Sequence, residues 1–299
     1  MSVKVNRELY QKLASDFEEE RVQSTLEIIK TFGAIKQDDL EFYKTEKDYA
    51  IQRLMKALAS NKRFARLGYS LCLGEILYLD LEESIKASKL EFVQTFYQKL
   101  YEYLPLNNKD AFHNNSKSKK VKGKEERGNA FGRLFGLQII SNQPLYQNLF
   151  FTSVEKSNFE YDVVAAYIEQ LYSLHQYKSW ISESALFAIF EFVVKILNDV
   201  GINFENKMQF RKFIVIKLNE LQLTMSLEGL AVYIKLIFSE GDVYRNLEAL
   251  QEVKLNNLHW VNQNPFDRSN IGYLTKVLKG EDVIKNRDQS IGNNNKGFW

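Results

Sequence analysis

The sequence is poor in the residues that interrupt helices and in those that bind metals. It contains three prolines and one cysteine, Cys72, among 299 residues. A single cysteine excludes an internal disulfide and a zinc site built on several cysteines. The scarcity of proline leaves long stretches in which helices can run without a break. We therefore expect a helical protein without a cysteine-based metal site.

Long apolar runs are also missing. None approaches the roughly 18 consecutive apolar residues that a membrane-spanning helix needs. The first residues, MSVKVNRELYQKLASDFEEER, do not contain the apolar core of a secretion signal. We expect a soluble intracellular protein with no membrane partner.

Motifs of common catalytic sites are absent. The sequence contains no phosphate-binding loop, dinucleotide fingerprint, HExxH or GxSxG. Its three histidines, His113, His175 and His259, do not share metal-ligand spacing. The acidic clusters at 18–20, 38–39 and 82–83 fall where helices are expected to begin or to be linked. We expect no enzymatic activity, no cofactor, no bound metal and no small-molecule substrate.

Charge of one sign is not in excess, with 40 basic and 38 acidic residues and a net charge of +2. Any basic function must therefore be local. One run stands out, because five lysines fall within eight residues: Lys117, Lys119, Lys120, Lys122 and Lys124. They form either a solvated linker or a salt-dependent contact with the phosphates of RNA or DNA. Aromatic residues do not interleave these lysines, so specific base recognition is not expected.

Apolar residues recur with helical spacing along most of the chain. Ile51, Leu54, Met55 and Leu58 follow the i, i+3, i+4, i+7 pattern of a helix with one buried face. Similar patterns joined by short turns follow through the second half. They predict an all-α fold, specifically an α-solenoid of HEAT-like or armadillo-like helical repeats.

We expect one N-terminal helical-repeat domain over residues 1–299. It consists of first helices over 1–104, a basic loop over 105–124 and further helical repeats over 125–299. The chain ends on Phe298 and Trp299 after an asparagine run, and two terminal aromatic residues favour burial against a following element. This ending suggests a fragment of a longer protein.

The stretch from Tyr49 to Leu79 predicts two central helices that meet near residues 60–62. In its second half, the positions expected to be buried are Phe64, Leu67, Leu71, Cys72, Ile76 and Leu79. An earlier helix is expected to bury Val22, Leu26 and Ile29, and Ser84 is expected to cap a later one.

Four arginines lie in or beside apolar helices: Arg53, Arg66, Arg127 and Arg133. A buried guanidinium needs a carboxylate or several carbonyls, and such arginines often tie one helix pair to the next. Glu75, Glu125 and Glu126 are the candidate partners. The alternative is that these arginines face a phosphate.

Two segments resemble conserved blocks of the DNA polymerase phi/Myb-binding protein 1A family. YAIQRLMKALASNKRFARLGYSLCLGEIL is similar to the N-terminal block, and KGKEERGNAFGRLFGLQII is similar to the second block. Ala57, Tyr69 and Gly74 depart from the first block's usual glycine, phenylalanine and threonine. The motif positions are Tyr49, Arg53, Leu54, Ser60, Arg66, Leu67, Gly68 and Glu75 in the first block, and Gly132, Arg133, Phe135 and Gly136 in the second.

The resemblance implies a nuclear, mainly nucleolar protein of HEAT-like helices that acts in ribosomal RNA synthesis and large-subunit assembly. Its implied partners are preribosomal proteins, ribosomal RNA, and DNA or chromatin. A pure protein–protein module or a transcriptional co-regulator is the alternative. A DNA polymerase is the third interpretation, although the metal-binding Asp-x-Asp of that chemistry has no counterpart here.

Overall fold

The computed structural model describes residues 4–107, 123–153, 156, 158–239, 242–281 and 283. Regular structure in these ranges is helical, with no β-strand. The predicted all-α class of HEAT-like or armadillo-like helical repeats is confirmed. The helices are α1 (Leu9–Lys12), α2 (Glu18–Asp38), α3 (Leu40–Ala57), α4 (Arg63–Tyr78), α5 (Leu81–Ser84), α6 (Lys89–Tyr103), α7 (Gly123–Ile140), α8 (Leu145–Phe150), α9 (Tyr161–Tyr177), α10 (Ser179–Asn198), α11 (Phe204–Glu220), α12 (Leu227–Phe238), α13 (Val243–Gln251) and α14 (Ile271–Leu278).

The chain divides into two compact units. The first consists of Met1–Val154 with Glu160–Ala185, and the second of Glu155–Phe159 with Leu186–Trp299. The single domain over 1–299 stays a prediction. The predicted loop over 105–124 ends earlier than expected, because α7 already begins at Gly123 and includes Lys124.

Local side-chain caps explain where two helices of the first unit begin. Asp39 accepts hydrogen bonds from the backbone of Glu41 and Phe42 at the start of α3, so this helix begins well before Tyr49. Ser88, rather than the expected Ser84, caps α6 by accepting from the backbone of Glu91. Both are standard N-cap contacts, in which a short polar side chain satisfies a free N–H group.

The buried face of α2 differs from the expected one. Val22 and Leu26 are 39% and 48% exposed, whereas Ile28, Phe32 and Ile35 are buried. The buried stripe extends through Thr25, a polar residue whose hydroxyl donates to the carbonyl of Arg21 at 2.9 Å. Because this hydroxyl is satisfied, a polar residue can occupy the core face.

The buried face of α4 was predicted correctly only in part, since Cys72 and Ile76 are buried as expected. Leu71 is 38% exposed, and Phe64 and Leu67 also lie on the outer side. The inner face carries the small residues Ala65, Gly68 and Cys72, together with Leu73, Ile76 and Leu77. A Cβ on Gly68 would lie 2.0 Å from the carbonyl oxygen of Leu13. Small residues therefore face the close contact at the start of α4, and large apolar side chains fill the inner face only further along the helix.

The second unit has its own core. Trp260 is fully buried, as is Tyr233, whose hydroxyl donates to Gln263 at 3.1 Å. Arg211 is also fully buried and donates to the carbonyl of Leu236 at 3.0 Å. This unit also contains α14. Within the residues described above, no helix is long and apolar enough to cross a membrane.

Candidate nucleic-acid interface

The lysine run is only partly within the described residues. Lys117, Lys119, Lys120 and Lys122 lie outside them. Lys124 is exposed in the first turn of α7. A nucleic-acid contact by these lysines therefore stays a prediction.

The described residues on either side of this run are both bonded to Tyr177 of α9. The backbone N–H of Asn107 donates to its hydroxyl oxygen at 3.2 Å, and the hydroxyl donates to the carboxylate of Glu126. Burial raises the pKa of Tyr177 to about 12, and the contact with Glu126 acts in the same direction. The phenol thus stays protonated at neutral pH, and Glu126 has a partner other than an arginine.

Two arginine side chains alternate with three aromatic rings on α4, on α7 and at the start of α10. The guanidinium carbon of Arg66 lies 5.1 Å from the ring centre of Phe135 and 5.2 Å from that of Phe131. The guanidinium of Arg127 lies 5.9 Å from Phe131 and 5.6 Å from Trp180. These are distances at which cation–π attraction operates. We call these five side chains the arginine–aromatic cluster.

The local fold explains how the cluster forms. Arg127, Phe131 and Phe135 are four residues apart on α7 and share one face of that helix. Phe131 and Trp180 approach with ring centres 5.9 Å apart and an interplanar angle of 35°. The i, i+4 spacing on α7 was a signal available in the sequence. The approach of Arg66 and Trp180 comes from tertiary packing.

Neither arginine of the cluster forms a salt bridge with a described carboxylate. Arg66 donates to the carbonyl of Ser60 at 2.9 Å, and its Nε is buried without a hydrogen bond. Burial and repulsion by Arg63 lower the pKa of Arg66. Lys62 and Arg63 are exposed within one helical turn of Arg66, and Lys124 and Arg127 are exposed in the first turns of α7. None of these four cations forms a salt bridge within the described part of the chain.

The other arginines of the family motif have internal contacts. Arg133 is buried, donates to the carbonyl of Leu104 at 2.7 Å and lies over the ring of Tyr101. Arg53 donates to the hydroxyl of Tyr49 at 2.9 Å. Glu75, expected as an arginine partner, forms no ion pair among the residues that the structure describes. Burial raises its pKa.

Among the remaining motif residues, one leucine and two glycines serve packing, and Leu67 does not. Leu54 is fully buried, and Leu67 is exposed instead of buried as expected. A Cβ on Gly132 would lie 3.0 Å from the backbone of Leu58, and one on Gly136 would lie 2.6 Å from Leu100. The glycines of the second block therefore allow α7 to approach its neighbours closely.

Comparison with known proteins assigns the sequence to a family. The DNA polymerase phi family matches residues 49–299. The chain belongs to this family. Members of the DNA polymerase phi family similar to it include the rDNA transcriptional regulator POL5 of Saccharomyces cerevisiae, 36% identical over 289 residues that make up 95% of this chain and 26% of the relative.

A second relative is the rDNA transcriptional regulator pol5 of Schizosaccharomyces pombe. It is 25% identical over 290 residues, which cover 97% of this chain and 25% of the relative. The chain thus spans about a quarter of the length of both curated relatives. No solved structure matches it. Within the described ranges, no group of three or more His, Cys, Asp or Glu residues has the geometry to hold a metal ion.

Proposed function

We propose that this chain is part of a non-catalytic scaffold of the nucleus and nucleolus that acts in ribosomal RNA synthesis and large-subunit assembly. Its partners are preribosomal proteins and ribosomal RNA, with further contact to DNA or chromatin. Membership of the DNA polymerase phi family supports this proposal. So do the printed names of both relatives, which describe regulators of rDNA transcription.

The observation that carries the nucleic-acid part is a set of cations at the start of α4 and α7 that form no salt bridge with any residue the structure describes. Lys62, Arg63, Lys124 and Arg127 are exposed there beside Arg66. Charges of this kind attract phosphates and release counterions on binding. Because the net charge of the chain is only +2, the attraction arises from this local arrangement. The lysine run adjoins it in sequence.

The test is fluorescence anisotropy with ribosomal RNA fragments over a salt series. In a variant with Lys117, Lys119, Lys120, Lys122 and Lys124 changed to Gln, the slope of log affinity against log salt should fall by several units, since each lost phosphate contact removes about 0.7 to 0.9. Circular dichroism checks that the variant is folded. Equal slopes for the two proteins would show that these lysines do not contact the RNA.

A protein–protein module or a transcriptional co-regulator is the second candidate. The observation that favours it is the outer side of α4, where Phe64, Leu67 and Leu71 are exposed, because exposed apolar groups often mark protein contacts. Pull-down from a nucleolar extract, with and without residues 105–124, separates the two candidates. Capture of the same proteins by both forms, without RNA, would support the protein module.

A polymerase is the third candidate, and it rests on the family's name alone. Both relatives carry the name of a regulator. Primer extension with the purified chain in Mg²⁺ and in Mn²⁺ tests it, with an active polymerase as the positive control. We expect no extended product, and a product that increases with protein concentration would contradict the non-catalytic role.

A further inference from the structure

We infer that the arginine–aromatic cluster is a stacking platform for an unpaired base of a single-stranded nucleic acid. This inference rests on the proposed nucleic-acid contact and adds the class of ligand and the residues that hold it. The cluster runs from the half-buried Phe135, Arg66 and Phe131 to the exposed Arg127 and Trp180. Its solvent-exposed end therefore presents one guanidinium and one indole.

The first argument concerns the hydrogen-bond donors of the arginines. Structural arginines in this chain bond to carbonyl oxygens, as Arg133 does with Leu104 and Arg211 with Leu236. Arg127 has no hydrogen bond or ion pair within the described part, although its guanidinium is held between two rings. Two cation–π contacts thus orient it while its N–H groups stay available. A phosphate accepts two such N–H groups at once.

The second argument concerns Trp180, which is 38% exposed. It lies at the end of α10 that follows Tyr177, the residue bonded to both described flanks of the lysine run. An indole on a rigid helix that also contacts Phe131 and Arg127 loses little conformational freedom when a base stacks on it. Stacking of this kind accepts any base, because each base has a π-face.

The third argument selects a single strand over a duplex. Bases within a nucleic-acid duplex are already stacked on their neighbours, so they cannot stack on Trp180 without first leaving the duplex. Unpaired bases of loops and single strands stack readily on aromatic rings and on guanidinium planes. Lys62, Arg63 and Lys124 lie around the same helix ends, and they would hold the phosphates on either side of a stacked base. RNA and DNA share this chemistry.

The test compares Trp180→Leu with the unchanged 299-residue chain by fluorescence anisotropy. The probes are a 12-nucleotide single-stranded RNA, the same strand as DNA, and an RNA hairpin stem of equal charge. We expect the variant to lose about fivefold or more in affinity for the single strands, because loss of one stacking partner has an effect of this size. The salt slope and the affinity for the stem should not change, since no charge is removed.

Tyr244→Leu is the matched control. Tyr244 is 82% exposed on α13, in the other unit, so its loss should leave binding to every probe unchanged. A fall in affinity for both single strands in Trp180→Leu supports the platform, and the strand that binds more tightly to the unchanged chain identifies the source of the ligand. A strand with abasic sites gives a readout on the unchanged chain, independent of how the variant folds, and its affinity should be about fivefold lower.

Failures of the two proposals are distinguishable. Salt-dependent binding that is equal for abasic and normal strands, or that is unchanged in Trp180→Leu, would overturn the stacking platform and leave the phosphate contact intact. Absence of binding to all probes at low salt would overturn both. If proteins from a nucleolar extract bind the chain and Trp180→Leu alone removes them, the cluster is a protein contact and the inference is wrong.

Discussion

At the scale of single residues, the recurrent contact in this molecule is an arginine that donates to main-chain oxygens just beyond or at the end of another helix. Carbonyls at a helix end lack backbone partners and carry partial negative charge. A guanidinium can satisfy them directly through its N–H donors. The pairs are Arg21 with Ser15 and Asp16, Arg66 with Ser60, Arg133 with Leu104, and Arg211 with Leu236.

Gly68→Ala tests the close approach of α4 to the turn after α1. The added Cβ would lie 2.0 Å from the carbonyl oxygen of Leu13, so the backbone must shift, and the variant should lose about 1 to 3 kcal/mol in free energy of unfolding. Urea denaturation measures this loss. Gly33→Ala is the control, since nothing lies within 4 Å of its Cβ position. It should gain up to about 1 kcal/mol from helix propensity, and equal effects of both changes would contradict the packing argument.

Asp80 gives a prediction for acidic pH. Burial alone raises the pKa of this carboxyl, but hydrogen bonds from Lys36, Lys47 and Tyr43 outweigh it and lower the pKa to about 2. A depressed pKa stabilises the folded chain above the unfolded value near 4, and this stabilisation is lost as the pH falls towards 2. It amounts to about 1 to 2 kcal/mol.

Urea denaturation between pH 6 and pH 3 measures this dependence. Asp80→Asn should be less stable than the unchanged chain at pH 6, and the difference should stay constant to about pH 5 and then shrink towards pH 3. Asp38→Asn is the control, since Asp38 is exposed and forms no ion pair or side-chain hydrogen bond within the described part of the chain. A constant difference between Asp80→Asn and the unchanged chain across this pH range would refute the assigned pKa.

At the scale of elements, the spacing of apolar residues predicts the presence of a helix more reliably than it predicts which face of that helix is buried. The two central helices predicted to meet near residues 60–62 are present as α3 and α4, which end and begin on either side of that point. On α2 and α4 we expected the stripes of large apolar residues to be buried, whereas the buried faces include Thr25 and Gly68. Spacing alone cannot reveal this, because the choice depends on the contour of the neighbouring helix and on hydrogen bonds such as that of Thr25.

Leu73→Ala and Leu71→Ala compare the two faces of α4. Leu73 is fully buried, and its truncation should cost about 2 to 5 kcal/mol in free energy of unfolding, the range for large-to-small changes in packed cores. Leu71 is 38% exposed, so its truncation should cost less than about 1 kcal/mol. The two melting curves, recorded by circular dichroism, measure this contrast. Equal losses would show that Leu71 is covered.

At the scale of the whole molecule, the candidate site combines features that sequence reasoning found with others that it missed. The lysine run and the arginines were identified from composition and spacing alone. Trp180 was missed because it is 53 positions from Arg127 in sequence, and only the packing of α10 near α7 brings the indole within 5.6 Å of that guanidinium. The nearly balanced net charge likewise concealed how unevenly the unpaired cations are distributed.

The last prediction separates local charge from net charge. One variant changes Lys62, Arg63, Lys124 and Arg127 to Gln, and a second changes four exposed lysines elsewhere in the same unit to Gln: Lys12, Lys30, Lys44 and Lys99. Both have the same net charge, so attraction governed by the whole molecule would weaken equally in the two. If the phosphates bind at the ends of α4 and α7, only the first variant should lose salt slope, by about three units for single-stranded RNA. Anisotropy titrations from low to moderate salt measure both slopes, and a comparable fall in the second variant would exclude a localised interface.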